Sequence, residues 1–283
     1  DITWPGAIPR KPRRGERDVS IAFLSDVHVG STLFMEKQFN LMLDFLKCKG
    51  PKQELAGSVK YLVIAGDLVD GIGIYPGQEK ELSIPDIYKQ YEVFADYMRQ
   101  VPEHIEVILQ PGNHDAVRLA EPQPALPAEF TFGLEKLGNI HIAGNPCEAE
   151  VEGMRLMAYH GMSLDTLIAA LPGLKDGYDH PEKVGAEMIK RRHLNPLYGE
   201  KPILPEPTDY LVVDEVPDIF HFGHVHKNGI GDYRGTTIIN SGTWQDTTDY
   251  QIKLGHVPTP CVMPIMNCRT GQITSLDFKE AIA

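Results

Sequence analysis

The chain has 283 residues, 42% of them hydrophobic and 23% charged, with a formal net charge of −12 at pH 7. That length buries a sizeable core without staples, as one large α/β domain or two modest ones. The acidity counts against generic binding to a nucleic-acid backbone, so such a substrate would need local positive charge from bound metal ions or a small basic patch.

Residues 1–18 read as a basic, proline-rich extension. Pro5, Pro9 and Pro12 preclude regular structure, and Arg10, Lys11, Arg13, Arg14 and Arg17 make it positive. A solvated linker is preferred here over an arm lying on nucleic acid. The chain starts at Asp1, not Met, and reads as a segment of a longer protein. It shows no signal peptide and no apolar run of membrane-spanning length. Cys48, Cys147, Cys261 and Cys268 form no C-x-x-C pair, so they read as reduced, buried thiols of an intracellular, cytoplasmic protein.

From Val19 a pattern repeats. Val19–Leu24 leads to Asp26 and His28, and Tyr61–Ala65 to Asp67. Ile105–Leu109 leads to Asn113 and His114, Met154–Tyr159 to His160, and Asp218–Phe222 to His224 and His226. Each apolar run has the length of a buried strand. Helical spacing over Phe34–Lys47 and Ile84–Met98 fills two of the gaps, and Thr236–Asn240 and Val262–Met266 read as further strands, antiparallel or at an edge. Alternating strands and helices imply an α/β sheet protein, which binds ligands at the carboxyl ends of its strands. All five polar clusters sit at such ends, so one shared crevice is expected.

The clusters are Asp26-Val27-His28, Gly66-Asp67-Leu68-Val69-Asp70, Gly112-Asn113-His114-Asp115, His160-Gly161 and Gly223-His224-Val225-His226. A lone D-x-H is a weak signal; five such clusters in order are a strong one. Carboxylate, imidazole and amide oxygen suit Mn²⁺, Fe²⁺ or Zn²⁺, and the absence of thiolate counts against a structural zinc site. In D-x-H and H-x-H, side chains two residues apart on an extended chain project to one side. Gly30, Gly66, Gly112 and Gly223 would let the backbone turn beside the metals.

These motifs resemble those of the calcineurin-like metallophosphoesterases. The resemblance implies a four-layer α/β/β/α sandwich over residues 19–283 and two divalent metal ions about 3.5–4 Å apart. It puts Asp26, His28, Asp67 and His226 on one metal and Asp67, Asn113, His160 and His224 on the other, with Asp67 as the bridge. His114 would be the acid near the leaving group, and Asp70 the carboxylate that orients His114. Gly71 stands where related protein phosphatases carry a phosphate-gripping arginine, and Asp115 where they have glutamate. The missing arginine counts against a monoester phosphatase and leaves room for a diester.

Longer segments carry the likeness further. Phe23–Ser31, Gly66–Gln78, Arg118–Pro124, Lys190–Gly199 and Ser241–Gln245 are similar to the small-subunit family of the archaeal family D DNA polymerases. That likeness implies a proofreading 3′→5′ exonuclease acting on single-stranded or mismatched DNA 3′ ends at the archaeal nucleoid, with manganese as the favoured metal. It also implies a large polymerase subunit as partner, and an upstream region that includes an oligonucleotide-binding-type domain. The competing readings are an assembly subunit that links the large subunit to a sliding clamp over a vestigial site, and a different metallophosphoesterase. The full set of ligand types favours the exonuclease. Outside the motifs, Lys190-Arg191-Arg192-His193 reads equally as a phosphate contact or a solvated face. Tyr75 and Trp244 read as core or interface aromatics rather than base-stacking platforms. His221 reads as a packed histidine, and His104, His141, His180 and His256 as surface or structural.

Overall fold

Apolar β-branched runs become strands, and their period of two decides which layer each side chain enters. The structure, a computed structural model, describes residues 10–280 except Tyr198. Residues 1–9, with Pro5 and Pro9 of the extension, and Tyr198 of the Lys190–Gly199 segment lie outside the described residues. In chain order the first half comprises β1 (Ser20–Leu24), α1 (Glu36–Leu46), α2 (Gln53–Ser58), β2 (Val59–Ala65), α3 (Ile87–Met98), β3 (Glu106–Gln110), α4 (Ala128–Thr131) and β4 (Ile140–Ile142). The second half comprises β5 (Cys147–Val151), β6 (Met154–Tyr159), α5 (Leu164–Ala170), α6 (Pro181–Arg191), β7 (Ile219–Phe222), β8 (Asn228–Tyr233), β9 (Thr236–Ser241), α7 (Asp249–Leu254), β10 (Val262–Asn267) and β11 (Ile273–Asp277).

One sheet has six strands in the order β11-β10-β1-β2-β3-β4, and the other five in the order β5-β6-β7-β9-β8. β1 to β4 run parallel, as do β6, β7 and β9, while β10, β11, β5 and β8 pair antiparallel. Of the two strands expected as antiparallel or edge, β10 is antiparallel to both neighbours and β9 is antiparallel to β8 and parallel to β7; both are interior. On β1, Ala22 and Leu24 enter a core shared with α1 and α3, whereas Ile21 and Phe23 enter a second core. On β6, Leu156 and Ala158 join that second core, whereas Met157 and Tyr159 enter a third with α5 and α6. Three apolar cores separate four layers, so the α/β/β/α sandwich is present.

The helix expected over Ile84–Met98 starts later, at Ile87, because Pro85 cannot continue a helical ladder and the Asp86 carboxylate accepts from Lys89 N. The described part of the basic extension turns back onto the second sheet. Arg10 pairs with the buried Asp218 at 2.9 Å, and Arg17 Nε donates to Glu152 at 2.9 Å. Lys190-Arg191-Arg192-His193 is also taken up within the chain. Lys190 and Arg191 pair with Glu187, Arg192 Nε donates to Val213 O, and His193 pairs with Asp209. Those partners favour a structural face.

His221 lies between the sheets, its ring centroid 4.9 Å from that of Phe23 in an edge-on arrangement. Its Nε2 bonds Ser241 Oγ at 2.9 Å, and Nδ1 has no partner. It is thus the packed histidine expected. Burial pushes its pKa down to about 3. The unfolded chain, with an ordinary histidine pKa of about 6.5, therefore binds this proton while the folded chain does not. The resulting penalty is absent above that value and grows as pH falls towards 3, at up to about 1.4 kcal/mol per pH unit. Urea unfolding in EDTA should show a shallower acid loss for His221→Phe than for the wild type between pH 6.5 and 4. Parallel curves would contradict this.

Candidate active site

The carboxyl ends of β1, β2, β3, β6 and β7 deliver the five clusters to one crevice between the sheets. Asp26, His28, Asp67 and His160 are at most 2% exposed and His226 is 8% exposed. Ligand-type atoms of Asp26, His28 and His226 lie within 4.8 Å of one another, as do those of Asp26, Asp67 and His160 and those of His28, Asp67 and His114. Asp67 Oδ2 stands 3.3 Å from His160 Nε2 and 3.8 Å from His28 Nε2, so one carboxylate oxygen faces histidines of different groups. Asn113 Oδ1 is 2.9 Å from His160 Nε2. The His224 ring is 5.2 Å from that of His160.

Outer partners fix the rings. His28 Nδ1 donates to Asp70 Oδ1 at 3.1 Å, turning Nε2 to within 3.1 Å of His226 Nε2. His160 Nδ1 donates to Ala65 O at 2.8 Å. His226 Nδ1 accepts from Gln251 Nε2 at 2.8 Å, and its Nε2 faces Asp26 Oδ1 at 3.4 Å. His224 Nε2 bonds Asp165 Oδ2 at 3.0 Å.

The backbone here departs from expectation. The D-x-H and H-x-H motifs are not extended ribbons: Asp26, His28, Asp67, His224 and His226 all have φ between +49° and +74°. A non-glycine residue in this region costs about 1–2 kcal/mol. Five in one crevice mean that the surrounding loops impose the shape. Those loops are held by Asp26 N to Gly66 O, Val27 N to Asp67 O and Trp244 N to Asp26 O, each within 2.9 Å. Gly66, at φ +88°, adopts the same region, and a Cβ there would lie 2.6 Å from His160 Nδ1.

Electrostatics follow from this packing. Burial disfavours the Asp67 carboxylate, but His160, His114 and His28 outweigh it and hold its carboxyl well below the usual range. Burial likewise opposes the His160 imidazolium, but Asp67 and Asp26 push its pKa up to about 10. The His160 imidazolium and the Asp67 carboxylate thus face each other at 3.3 Å. Burial together with Asp67 raises Asp115 to about 6, although Gly112 N, Leu68 N and Tyr91 OH all donate to it.

A profile of the DNA polymerase alpha/epsilon B-subunit family matches residues 21–228, more than half of the chain. The chain belongs to that family. It is 46% identical over 271 residues to the DNA polymerase II small subunit of Methanocaldococcus jannaschii, covering 94% of this chain and 45% of that protein. It is 50% identical over 249 residues to the DNA polymerase II small subunit of Archaeoglobus fulgidus, covering 87% of this chain and 50% of that protein. The chain thus spans about half the length of the curated relatives it matches. A solved archaeal phosphodiesterase aligns over 91% of this chain at 11% identity and a TM-score of 0.45. The likeness to archaeal polymerase small subunits expected from the motifs therefore extends over nearly the whole chain.

In this member of the B-subunit family, one expected role is corrected. The Asp70 carboxylate orients His28, not His114; His114 Nδ1 instead donates to the Asp70 backbone carbonyl at 2.8 Å. Gln78 and Gln245 donate to the same carboxylate at 3.2 and 3.1 Å. Sequence reasoning passed over Gln78, Gln245, Asp165 and Gln251 as supports of the site. Gln78 and Gln245 did stand inside segments that carried the family likeness; Asp165 and Gln251 had no motif to mark them. Trp244 is wholly buried against Phe39 and Phe278, as a core aromatic. Tyr75 is half-buried 6.5 Å from the His114 ring and donates its hydroxyl to Glu81. Among the described residues, no helix is long and apolar enough to cross a membrane.

Proposed function

We propose that this chain is the phosphodiesterase portion of an archaeal DNA polymerase small subunit, and that it shortens DNA from the 3′ end with two divalent cations, Mn²⁺ foremost. The observation that carries this reading is the position of Asp67 Oδ2 between His28 and His160, one oxygen facing two sets of candidate ligands. The donors fit hard or borderline cations: carboxylates, imidazoles and the Asn113 amide oxygen, without thiolate. Outer acceptors take the N–H of one ring nitrogen of His28, His160 and His224, an arrangement that leaves the lone pair of the other nitrogen for a metal. Asp26, His28, Asp67 and His226 would hold one cation, and Asp67, Asn113, His160 and His224 the other. Bound there, the pair would supply Lewis acidity toward a phosphoryl oxygen and activate water.

The protein's own part is placement and proton control. His114 Nδ1–H is committed to Asp70 O, so the second proton of its imidazolium form sits on Nε2, the ring nitrogen that would give it to the departing 3′-oxygen. The buried loops exclude bulk water and keep the dipoles fixed, which strengthens electrostatic stabilisation of a phosphoryl group. Gly71, where related phosphatases place an arginine, removes one grip on a terminal phosphate and favours a diester. The likeness to polymerase small subunits brings a large polymerase subunit as partner and the cytoplasm as the place of action, with the sliding clamp a further candidate partner.

The test is incubation of the chain with Mn²⁺ and end-labelled single-stranded DNA, beside bis-p-nitrophenyl phosphate and p-nitrophenyl phosphate. Stepwise shortening from the 3′ end, with the diester hydrolysed faster than the monoester, is expected. No turnover of any substrate with two Mn²⁺ bound would establish an assembly subunit instead.

A further inference from the structure

We propose that Asp165 is the positioning residue of His224, fixing its ring so that Nδ1 is offered to a divalent cation; this rests on the dimetal reading above. Asp165 belongs to none of the five clusters. It sits on the first turn of α5, five residues after His160, so the connection leaving β6 carries one candidate ligand and the carboxylate that holds another.

Three donors from separate segments immobilise that carboxylate. Its Oδ2 accepts from His224 Nε2 at 3.0 Å and from Lys201 Nζ at 3.1 Å, and its Oδ1 accepts from Tyr178 OH at 3.1 Å. Tyr178 precedes α6, Lys201 belongs to the proline-rich connection at 201–207, and His224 follows β7. A carboxylate bonded to one imidazole nitrogen fixes the tautomer, with the proton on that nitrogen and the lone pair on the other. For His224 the proton is on Nε2 and the lone pair on Nδ1. The His224 backbone is fixed separately, since its N–H donates to both oxygens of Asp26 at 3.1 and 3.0 Å. Backbone and ring are thus anchored from opposite sides, by Asp26 within the crevice and by Asp165, 36% exposed, towards solvent. A plain structural ion pair would support folding and leave cation affinity alone.

The experiment is calorimetric titration of Mn²⁺ into the metal-free full chain, with melting in EDTA alongside, for the wild type, Asp165→Ala and Asp165→Asn. The wild type should bind in two steps. Asp165→Ala should loosen one step by about 10- to 100-fold and spare the other. Asp165→Asn retains an oxygen that accepts from Nε2–H, so it should loosen that step less. Unchanged affinities in Asp165→Ala overturn the proposal. So does equal loosening of both steps together with a lower melting temperature in EDTA, which marks a merely structural role. A wild-type chain that takes up no Mn²⁺ overturns the dimetal reading itself.

Discussion

Asp67→Asn is expected to abolish uptake of both Mn²⁺ ions and to reduce diester turnover by about 10³-fold or more, while the chain remains folded. The magnitude follows from the role of the oxygen. Each cation contributes several kcal/mol of charge stabilisation in the transition state, and 1.36 kcal/mol is tenfold in rate. The fold should survive because asparagine keeps an Oδ1 that can accept from His114 N, which now donates to Asp67 Oδ1 at 2.8 Å. His160 needs no rescue, since without the Asp67 charge it sheds its extra proton and remains bonded to Ala65 O. His114→Ala separates ligand from acid: it should keep both cations and slow turnover by about 10²–10⁴-fold. His114 does share a group of close ligand-type atoms with His28 and Asp67. Loss of a cation in His114→Ala would therefore make it a ligand and end its assignment as the acid. Full turnover in Asp67→Asn would end the shared-oxygen reading.

The sequence revealed the parts of this fold that follow from burial. β1, β2, β3, β6 and β7 are covered on both faces over most of their length, so they read as mainly apolar runs, interrupted at Lys60, Glu106, Arg155 and His221, that end in polar clusters. Their division into two sheets was legible only through resemblance, because an apolar run does not name its neighbour. The candidate ligands were legible because histidine, aspartate and asparagine at strand ends recur in fixed short motifs. The conformation of those motifs was not. Left-handed φ at Asp26, His28, Asp67, His224 and His226 is imposed by loop-to-loop hydrogen bonds between distant segments. The outer partners were hidden for a related reason. Gln251 reaches His226 from a short helix 25 positions away, and Gln245 reaches Asp70 across 175 positions. An amide or carboxylate at such separations leaves no spacing rule to read. The Asp70 role came from the resemblance alone: Asp70 stands 42 positions from His28 and 44 from His114, and no spacing rule decides which ring its carboxylate takes.

Gly223→Ala should be a strongly damaging conservative change in the crevice, and proximity rather than backbone conformation is the reason. A Cβ on Gly223 would lie 2.2 Å from Asp26 Oδ2 and 2.5 Å from Ser25 Oγ, inside any permitted contact. The loop cannot retreat, because Gly223 N donates to His160 O at 2.9 Å and Gly223 O accepts from Asn240 at 2.8 Å. Asp26 cannot yield cheaply either, being wholly buried and bonded to His224 N. Overpacking of this kind costs about 3 kcal/mol, which corresponds to a melting temperature lower by roughly 6–12 °C in EDTA. The same displacement of Asp26 should weaken Mn²⁺ binding at the site it shares with His28 and His226. Gly73→Ala is the control. Its Cβ meets nothing within 4 Å, and its φ of +74° exacts only about 1–2 kcal/mol of backbone strain. If Gly223→Ala melts within a degree or two of the wild type and binds Mn²⁺ as well, the close approach of the β7 loop to Asp26 is not what shapes the crevice.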